Sequence, residues 1–205
     1  MQNKTLKEFS ELAASKQPVP GGGGVCADVA ALASALGQMV TNLTIGKQKY
    51  IQYTNELNDI RKELDILRFN LLDCINKDAE AFEPLARAYK MDKNDPNYES
   101  IMEESLKCAA GIPLLILKYC SRIIDLDERL AVIGSKISVS DAATSVMLAH
   151  GAMYGAYVNV LVNTRLMKDP NNAQIFNSQA VSILDEYSVK ALNCFDDICK
   201  RLTNG

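Results

Sequence analysis

The feature of this sequence best suited to ligand binding is a turn that contains two prolines and four glycines. Residues 18–24 read Pro-Val-Pro-Gly-Gly-Gly-Gly and lead directly into an apolar segment of helical composition. Glycine lets a backbone approach a ligand closely, and the free N–H groups at the start of a helix attract an anion or a polarised oxygen. The turn therefore predicts a binding site with Pro20, Gly21, Gly22 and Gly23 as candidate contacts. A tight structural turn beside a crowded neighbour is the alternative.

Two aspartates stand at positions suited to proton transfer. Asp78 falls on an apolar row (71, 74, 78, 82, 85), so we expect its carboxylate to face the interior of a bundle. Buried carboxylates need partners and often have shifted pKa values, although a buried ion pair with another helix is the structural alternative. Asp141 ends a Ser-Val-Ser-Asp motif at a predicted helix start, where capping by Ser138 or Ser140 is a sufficient explanation. Asp28 also lies on an apolar row, and we interpret it as a capping or interface charge.

Further polar residues lie at the ends and on the faces of predicted helices. Asn42 and Lys47 close the second helix, where a lysine normally complements the helix dipole. Asn159 and Ser138 belong to a stripe of small and polar residues, a pattern typical of a close helix contact or of one wall of a cleft. His150, the single histidine, is interpreted as a structural residue on the flank of the same helix.

The elements that must position these residues are helices. Low glycine and proline content and long stretches of 3–4 periodicity predict an all-α fold, an elongated bundle of about six helices in one domain spanning 1–205. A row from Leu57 to Leu85 predicts a bundle or coiled-coil seam that would serve dimerisation equally well. Pro113 is predicted to kink the fourth helix, and 125–137 is predicted to be less regular. The expected helices cover 5–14, 24–45, 49–89, 98–124, 139–167 and 173–202.

Composition limits the classes of function. The net charge is −3 and the isoelectric point is about 5.3, which argues against a nucleic-acid partner. No run approaches ~18 uncharged apolar residues, and the first residues lack the apolar middle of a signal peptide, so we predict a cytoplasmic protein without a membrane partner. The six cysteines include no CxxC pair and are interpreted as buried thiols. One histidine and no ligand cluster predict no metal site.

Several segments, in order, resemble the formiminotetrahydrofolate cyclodeaminase/methenyltetrahydrofolate cyclohydrolase family. The resemblance covers nearly the whole chain and implies an all-helical homodimer that acts on one-carbon units carried by tetrahydrofolate, without a tightly bound cofactor. Three departures are Gly24 where the family usually has a serine that supplies a hydroxyl and a helix cap, Gly134-Ser135 where Gly-Asn is frequent, and Asp28 where an apolar residue is usual. The matching segments are 18–23, 30–47 with Tyr50, Asp78-x-x-Ala81-Phe82, 109–114, Ser140-Asp141-Ala142 and 155–160.

The resemblance implies hydrolysis of 5,10-methenyltetrahydrofolate to 10-formyltetrahydrofolate. We prefer this cyclohydrolase function because no formiminotransferase domain accompanies the chain. The alternatives are a cyclodeaminase, which releases ammonia to form the methenyl compound, and a non-catalytic folate-binding helical dimer. Either reaction needs proton transfer at a tetrahedral carbon.

The resemblance also implies a role for each candidate residue. Of Asp78 and Asp141, one transfers protons and the other binds the pterin, while Lys47 donates a proton or orients the formyl oxygen. Asn42 and Asn159 bind the pterin, and the glycine turn holds an oxygen or a glutamate carboxylate. This assignment requires the turn, Asp78 and Asp141 to converge on one hollow.

Overall fold

The computed structural model describes residues 3–204, and these form six α-helices, two short 3₁₀ turns and no strand. The predicted all-α bundle of about six helices is confirmed. A single domain spanning the whole chain stays a prediction. The helices are α1 (Leu6–Ala13), α2 (Gly22–Thr44), α3 (Thr54–Ala88), α4 (Tyr98–Ile133), α5 (Val139–Thr164) and α6 (Pro170–Thr203), with 3₁₀ turns at Gln48–Tyr53 and Lys136–Ser138.

One boundary prediction was wrong, because α4 continues without a break to Ile133. Leu126, Leu130 and Ile133 are buried and extend the apolar face of the helix through the segment expected to be irregular. Asp127, between them, interrupts the apolar pattern in the sequence although it lies inside the bundle. A buried polar residue therefore concealed a continuous helix.

The centre of the bundle is an antiparallel pair formed by α2 and α5. Near the start of α2, a Cβ at Gly155 of α5 would overlap the Sγ of Cys26. Further along, the Ser145 hydroxyl donates to the carbonyl of Ala33 at 2.7 Å. Helix α3 packs on another side of α2, where the Ser34 hydroxyl donates to the Leu64 carbonyl at 2.6 Å. Small side chains on α2 permit this close approach on both sides.

The apolar row of α3 is a seam within the chain. All but one of its apolar members are almost completely inaccessible, with exposed fractions of 6% or less. The interpretation of this row as a dimerisation surface is therefore wrong, since α2 and α4 already cover it. The buried members are Leu57, Ile60, Leu64, Leu67, Leu71, Cys74 and Leu85, and the exception is Phe82, which is half-buried.

Two segments, Gly22–Thr44 and Lys136–Thr164, are long and apolar enough to cross a membrane by length and composition alone. The sequence expectation of no such segment does not hold by this measure. About half of the most apolar window of the first, and 39% of that of the second, is buried inside the bundle. Core helices of soluble proteins have this composition, and the absence of a membrane partner stays a prediction.

Asp127 is a fully buried carboxyl group in the middle of the bundle. The Ser145 hydroxyl contacts its Oδ2 and also the Ala33 carbonyl, while Oδ1 has no hydrogen-bond partner. One hydroxyl hydrogen cannot serve both acceptors, but a protonated Asp127 can donate to the Ser145 oxygen while Ser145 donates to Ala33. Gly37 leaves the necessary space, because a Cβ there would lie 2.8 Å from Oδ1. Burial raises the pKa of Asp127 well above its usual range.

We expect the free energy of unfolding to decrease less steeply with rising pH in Asp127→Asn than in the wild-type protein. The folded chain holds a proton on Asp127 that the unfolded chain loses above about pH 3.9, so this group destabilises the protein increasingly as pH rises toward the folded-state pKa. Asparagine keeps the shape and does not titrate. Urea unfolding at pH 5 to 8 measures the slope, with the exposed Asp59→Asn as control. Equal slopes in Asp127→Asn and wild type would contradict the protonated state.

Candidate functional site

The glycine turn opens into a cleft of about 180 Å³ at one end of the bundle. Helix α2 begins at Gly22, two residues earlier than predicted, with Gly21 at the N-cap and no side-chain cap. Gly24 is therefore the third residue of the helix, and the expectation that it replaces a helix cap was wrong. The cleft is lined by Pro18, Val19, Gly21, Gly22, Gly23, Asp78, Phe82, Ala109, Asn159, Val162 and Asn163.

Asp78 of α3 faces the first turn of α2, as its position on the apolar row predicts. Its carboxylate accepts a hydrogen bond from the Gly24 backbone N–H, so it satisfies a donor that the helix itself leaves free. Gly23 is required here, because a Cβ at that position would overlap Oδ1 and lie 2.7 Å from the carboxyl carbon. The alternative of a buried ion pair is wrong for the described residues, since none of their ion pairs includes Asp78.

The environment of Asp78 favours its protonated form relative to an ordinary aspartate. Burial raises the pKa of this carboxyl, and the hydrogen bond from Gly24 opposes the increase. A half-buried carboxyl with a raised pKa can accept and return a proton nearer to neutral pH than an exposed one. The arrangement therefore suits general acid–base chemistry in the cleft.

Asn159 of α5 forms the opposite wall beside Gly22. A Cβ at Gly22 would lie 2.9 Å from its Nδ2 atom, which donates to the Gly155 carbonyl at 2.8 Å. One turn further on, Nδ2 of Asn163 donates to the carbonyls of Ala109 and Asn159 at 3.1 and 2.9 Å. Our site prediction omitted Asn163, although its spacing of four residues from Asn159 places both amides on one face of the helix.

The other predicted residues form a second polar cluster, where α2 ends and α5 begins. The Lys47 ammonium donates to the Ser135 hydroxyl at 2.9 Å, and the Ser135 N–H donates to the Thr44 hydroxyl oxygen at 2.8 Å. Ser138 occupies the N-cap position of α5, but its hydroxyl donates to the Ser135 carbonyl at 3.2 Å and does not cap the helix. Capping by Ser138 is therefore not its role. Ser135, which holds Lys47, was missed as a site residue.

These two clusters lie at opposite ends of the α2–α5 pair, so the predicted convergence within one chain was wrong. Asp141 and Asn159 are 18 residues apart on the continuous helix α5, a separation of ~27 Å. The structure brings together Gly21, Gly22 and Gly23 of the turn, Asp78 and Asn159, whereas Pro20, also a predicted contact, is buried and does not line the cleft. Asp141 lies in the first turn of α5, at the same end as Asn42, Lys47 and Ser138. The helix predicted over 139–167 already implies a separation of this size between Asp141 and Asn159, so the expectation of one hollow within a single chain conflicts with the predicted helix itself.

Two other singled-out residues lie outside the cleft. Asp28 lines a separate shallow cavity with Phe9, Leu32 and Leu72, and burial raises the pKa of its carboxyl. His150 packs edge-on against Tyr154, with ring centroids 5.0 Å apart. Burial lowers the pKa of this imidazole. Neither residue lines the cleft.

Together, the fold and the site define an all-α protein in which a glycine-rich helix start faces an unpaired carboxyl group. Residues 5–182 match the family model described as Formiminotransferase-cyclodeaminase. Because this match covers most of the chain, the protein belongs to that family. The resemblance inferred from the sequence segments is confirmed.

The similar proteins are named for two different reactions, a cyclohydrolase reaction and a cyclodeaminase reaction. The chain is 36% identical over 171 residues to a methenyltetrahydrofolate cyclohydrolase of Methylorubrum extorquens, covering 82% of each chain. It is 27% identical to the formimidoyltransferase-cyclodeaminase of Mus musculus, of which it spans 35%. The crystal structure of a formiminotetrahydrofolate cyclodeaminase from Thermotoga maritima superimposes with a TM-score of 0.85 at 30% identity, over 99% of this chain and 98% of the other.

Proposed function

We propose that this protein is a methenyltetrahydrofolate cyclohydrolase, which adds water to 5,10-methenyltetrahydrofolate and yields 10-formyltetrahydrofolate and a proton. The observation that carries the proposal is the half-buried Asp78 carboxyl, unpaired by any cation in the described chain, beside the free N–H groups of the α2 turn. The similarity to the Methylorubrum enzyme, which extends over most of both chains, supports the reaction type. The substrate is a folate, and the chemistry needs no covalent intermediate on the protein.

The cleft residues can carry out each proton transfer. Ionised Asp78 attracts the cationic methenyl carbon and removes a proton from the attacking water, so that a neutral tetrahedral carbinolamine forms. Asp78 then returns its proton to N5 as the bond from this carbon to N5 breaks, and the hydroxyl releases its proton to solvent as the oxygen becomes the formyl carbonyl on N10. The N–H groups of Gly22 and Gly23, which have no acceptor within the helix, can donate to this oxygen. Asn159 supplies an amide to the pterin side of the cleft.

The second candidate is formiminotetrahydrofolate cyclodeamination, which the similarity to the Thermotoga structure favours. In this reaction N10 attacks the formimino carbon and ammonia leaves from the tetrahedral intermediate. The leaving nitrogen needs a proton, and protonated Asp78 is placed to give one. The same cleft therefore serves both reactions, and the preferred substrate distinguishes them.

A side-by-side assay of the two substrates tests the proposal. We expect the protein to accelerate loss of the methenyl chromophore from 5,10-methenyltetrahydrofolate, with a kcat/KM above that for ammonia release from 5-formiminotetrahydrofolate. The rate without protein is subtracted, because the methenyl compound also hydrolyses in water. The opposite order of kcat/KM would establish the cyclodeaminase. No acceleration of either reaction, combined with folate binding by calorimetry, would leave a non-catalytic binding protein.

We also propose that the working unit is a homodimer, as the family resemblance implies. The support in this chain is a row of partly exposed apolar side chains along the outer side of α2, of which Val25, Leu32, Met39 and Leu43 are 37–52% exposed.

A further inference from the structure

The cleft beside Asp78 is incomplete as a folate site within one chain. Its volume of about 180 Å³ is below the ~300–1,000 Å³ typical of pockets that enclose a small organic ligand. No described cation pairs with Asp78, and Lys47, the predicted cation of the site, lies at the far end of α2, ~33 Å away by helical rise. A wall that encloses the folate therefore has to come from outside this chain, and a lysine on that wall would add the cation that the cleft lacks.

Helix α2 carries an outward row of apolar side chains, here called the α2 stripe. Val25, Leu32, Met39 and Leu43 are 37%, 52%, 45% and 41% exposed, an arrangement that is unfavourable for a solvated surface. Steps of four and three residues alternate along the stripe, which is the spacing of a helix–helix seam. Gly22, at the mouth of the cleft, precedes Val25 by three residues and lies on the same face. The stripe consists of Val25, Val29, Leu32, Leu36, Met39 and Leu43.

The stripe is symmetric about residue 34, so it can pair with itself in the antiparallel direction. A two-fold axis at that point sets position 25 against 43, 29 against 39, and 32 against 36 of a second copy. The same register sets position 21 against 47. Two copies of this chain therefore bury both stripes and bring the lysine end of one α2 to the glycine turn of the other.

We propose that two copies of this chain pair along the α2 stripe, and that each cleft is completed by the partner subunit's Lys47. This inference rests on the proposed function, because it assigns the cation of the same site. The charges are complementary: Lys47 contacts only the neutral Ser135 hydroxyl among the contacts described, and Asp78 has no cation. Asp28 is the only charged residue of α2, so little like-charge repulsion opposes the pairing. The partner subunit's Lys47 would orient the formyl oxygen or donate to N5.

Heterodimers made from two inactive variants test the arrangement. Asp78→Asn and Lys47→Ala chains carrying different affinity tags are co-expressed, and the mixed dimer is isolated through both tags. If the sites are shared, one site per dimer has both native residues, and we expect about half the wild-type rate. If each chain carries its own site, every site lacks one residue and the rate stays at that of the single variants. That result would overturn the proposal.

A second heterodimer, with both substitutions in one chain, reverses the rates expected for shared and unshared sites. Wild type paired with the Asp78→Asn/Lys47→Ala double variant has one substitution in each shared site, so we expect the rate of a single variant. Unshared sites would instead retain about half the wild-type rate. Lys49→Ala, which changes a neighbouring exposed lysine, serves as the matched control for Lys47→Ala.

Disulfide cross-linking tests the pairing without reference to activity. A Cβ at Gly21 would meet only the Pro18 carbonyl, at 3.6 Å, so Gly21→Cys fits. Within one chain the length of α2 separates positions 21 and 47, and a Gly21→Cys/Lys47→Cys bond can form only between chains. We expect the oxidised double variant, and neither single variant, to migrate as a covalent dimer. A monomer in solution, or partition of the purified protein into phospholipid vesicles through this face, would overturn the pairing.

The two experiments separate failure of the inference from failure of the proposed function. A wild-type protein inactive on both folate substrates would contradict the function, while the cross-link would still decide the pairing. An active wild type without heterodimer complementation would contradict only the shared site. Leu32→Asp, which places a charge in the centre of the stripe, is expected to convert the dimer to monomer in sedimentation velocity and to reduce turnover together with it.

Discussion

Asp78→Asn is expected to lower the turnover of 5,10-methenyltetrahydrofolate by about 10²–10⁴-fold, the usual contribution of a positioned acid–base group. The amide has nearly the shape of the carboxylate, and its oxygen can still accept the hydrogen bond from the Gly24 N–H. It cannot, however, remove a proton from water or attract the methenyl cation. Steady-state kinetics with a thermal melt of each variant measure the effect, and the melting temperature should not decrease because no native ion pair is lost.

Asp73→Asn is the matched control, since Asp73 lies on the same helix but forms an ion pair with Lys77 at 2.7 Å. We expect this variant to retain wild-type kinetics. The assignment of Asp78 as the base would be wrong if Asp78→Asn kept its rate within a few-fold of wild type. A large increase in KM with an unchanged kcat would instead assign Asp78 to ground-state binding of the pterin.

Helical periodicity predicted most of the fold because each helix buries one face. The row on α3 is an example, and the polar residue Asp78 within it predicted a carboxyl that faces the inside of the bundle, where the structure places it against the glycine turn. The same periodicity failed at Asp127. A polar residue within the buried face of α4 interrupts the apolar pattern, so the sequence predicted that the helix ends before it. The Asp127 carboxyl is accommodated by the space beside Gly37 of α2 and by the hydroxyl of Ser145 of α5. Both residues are distant from Asp127 in the sequence.

The candidate site was only partly predictable, for a geometrical reason. The structure brings Asp78, Asn159 and the glycine turn together, although the turn begins α2 while Asn159 lies near the end of α5, because the two helices run antiparallel. Residue types and spacing did not place Asp141 and Lys47, because the direction in which α5 runs beside α2 follows from packing and not from spacing. Their roles stay predictions. In a dimer paired along the α2 stripe, the separation of the two polar clusters becomes a means of joining them across subunits.

The exposure of the α2 stripe could not be predicted from the sequence either. Helix α2 is apolar around its whole circumference, which predicts a central and buried helix. The structure shows that α3 and α5 cover only the side with the small residues, among them Ala27, Ala30 and Ser34. The larger side chains of the stripe remain outside. Composition therefore predicts a more complete burial of α2 than one chain provides.

Gly23→Ala is expected to lower kcat/KM by about 10²-fold, the loss that a misplacement of ~1 Å can cause in a catalytic group. The added Cβ would overlap Oδ1 of Asp78 and lie 2.7 Å from its carboxyl carbon, so the carboxyl or the start of α2 must move. The helix propensity of alanine, about 1 kcal/mol better than that of glycine in a helix interior, does not offset this overlap, so stability has to be measured together with the rate. Steady-state kinetics and urea unfolding of the same preparation separate the two effects.

Gly111→Ala and Gly22→Ala complete this comparison. A Cβ at Gly111, inside α4, would meet no atom within 4 Å, so this variant should keep full activity and gain slight stability. A Cβ at Gly22 would displace only the flexible Asn159 amide, and we expect weaker folate binding with a smaller loss of kcat. Full activity in Gly23→Ala would show that the contact between the turn and Asp78 is structural. The ranking Gly23 > Gly22 > Gly111 in lost kcat/KM follows only if the position of the Asp78 carboxyl controls the chemistry.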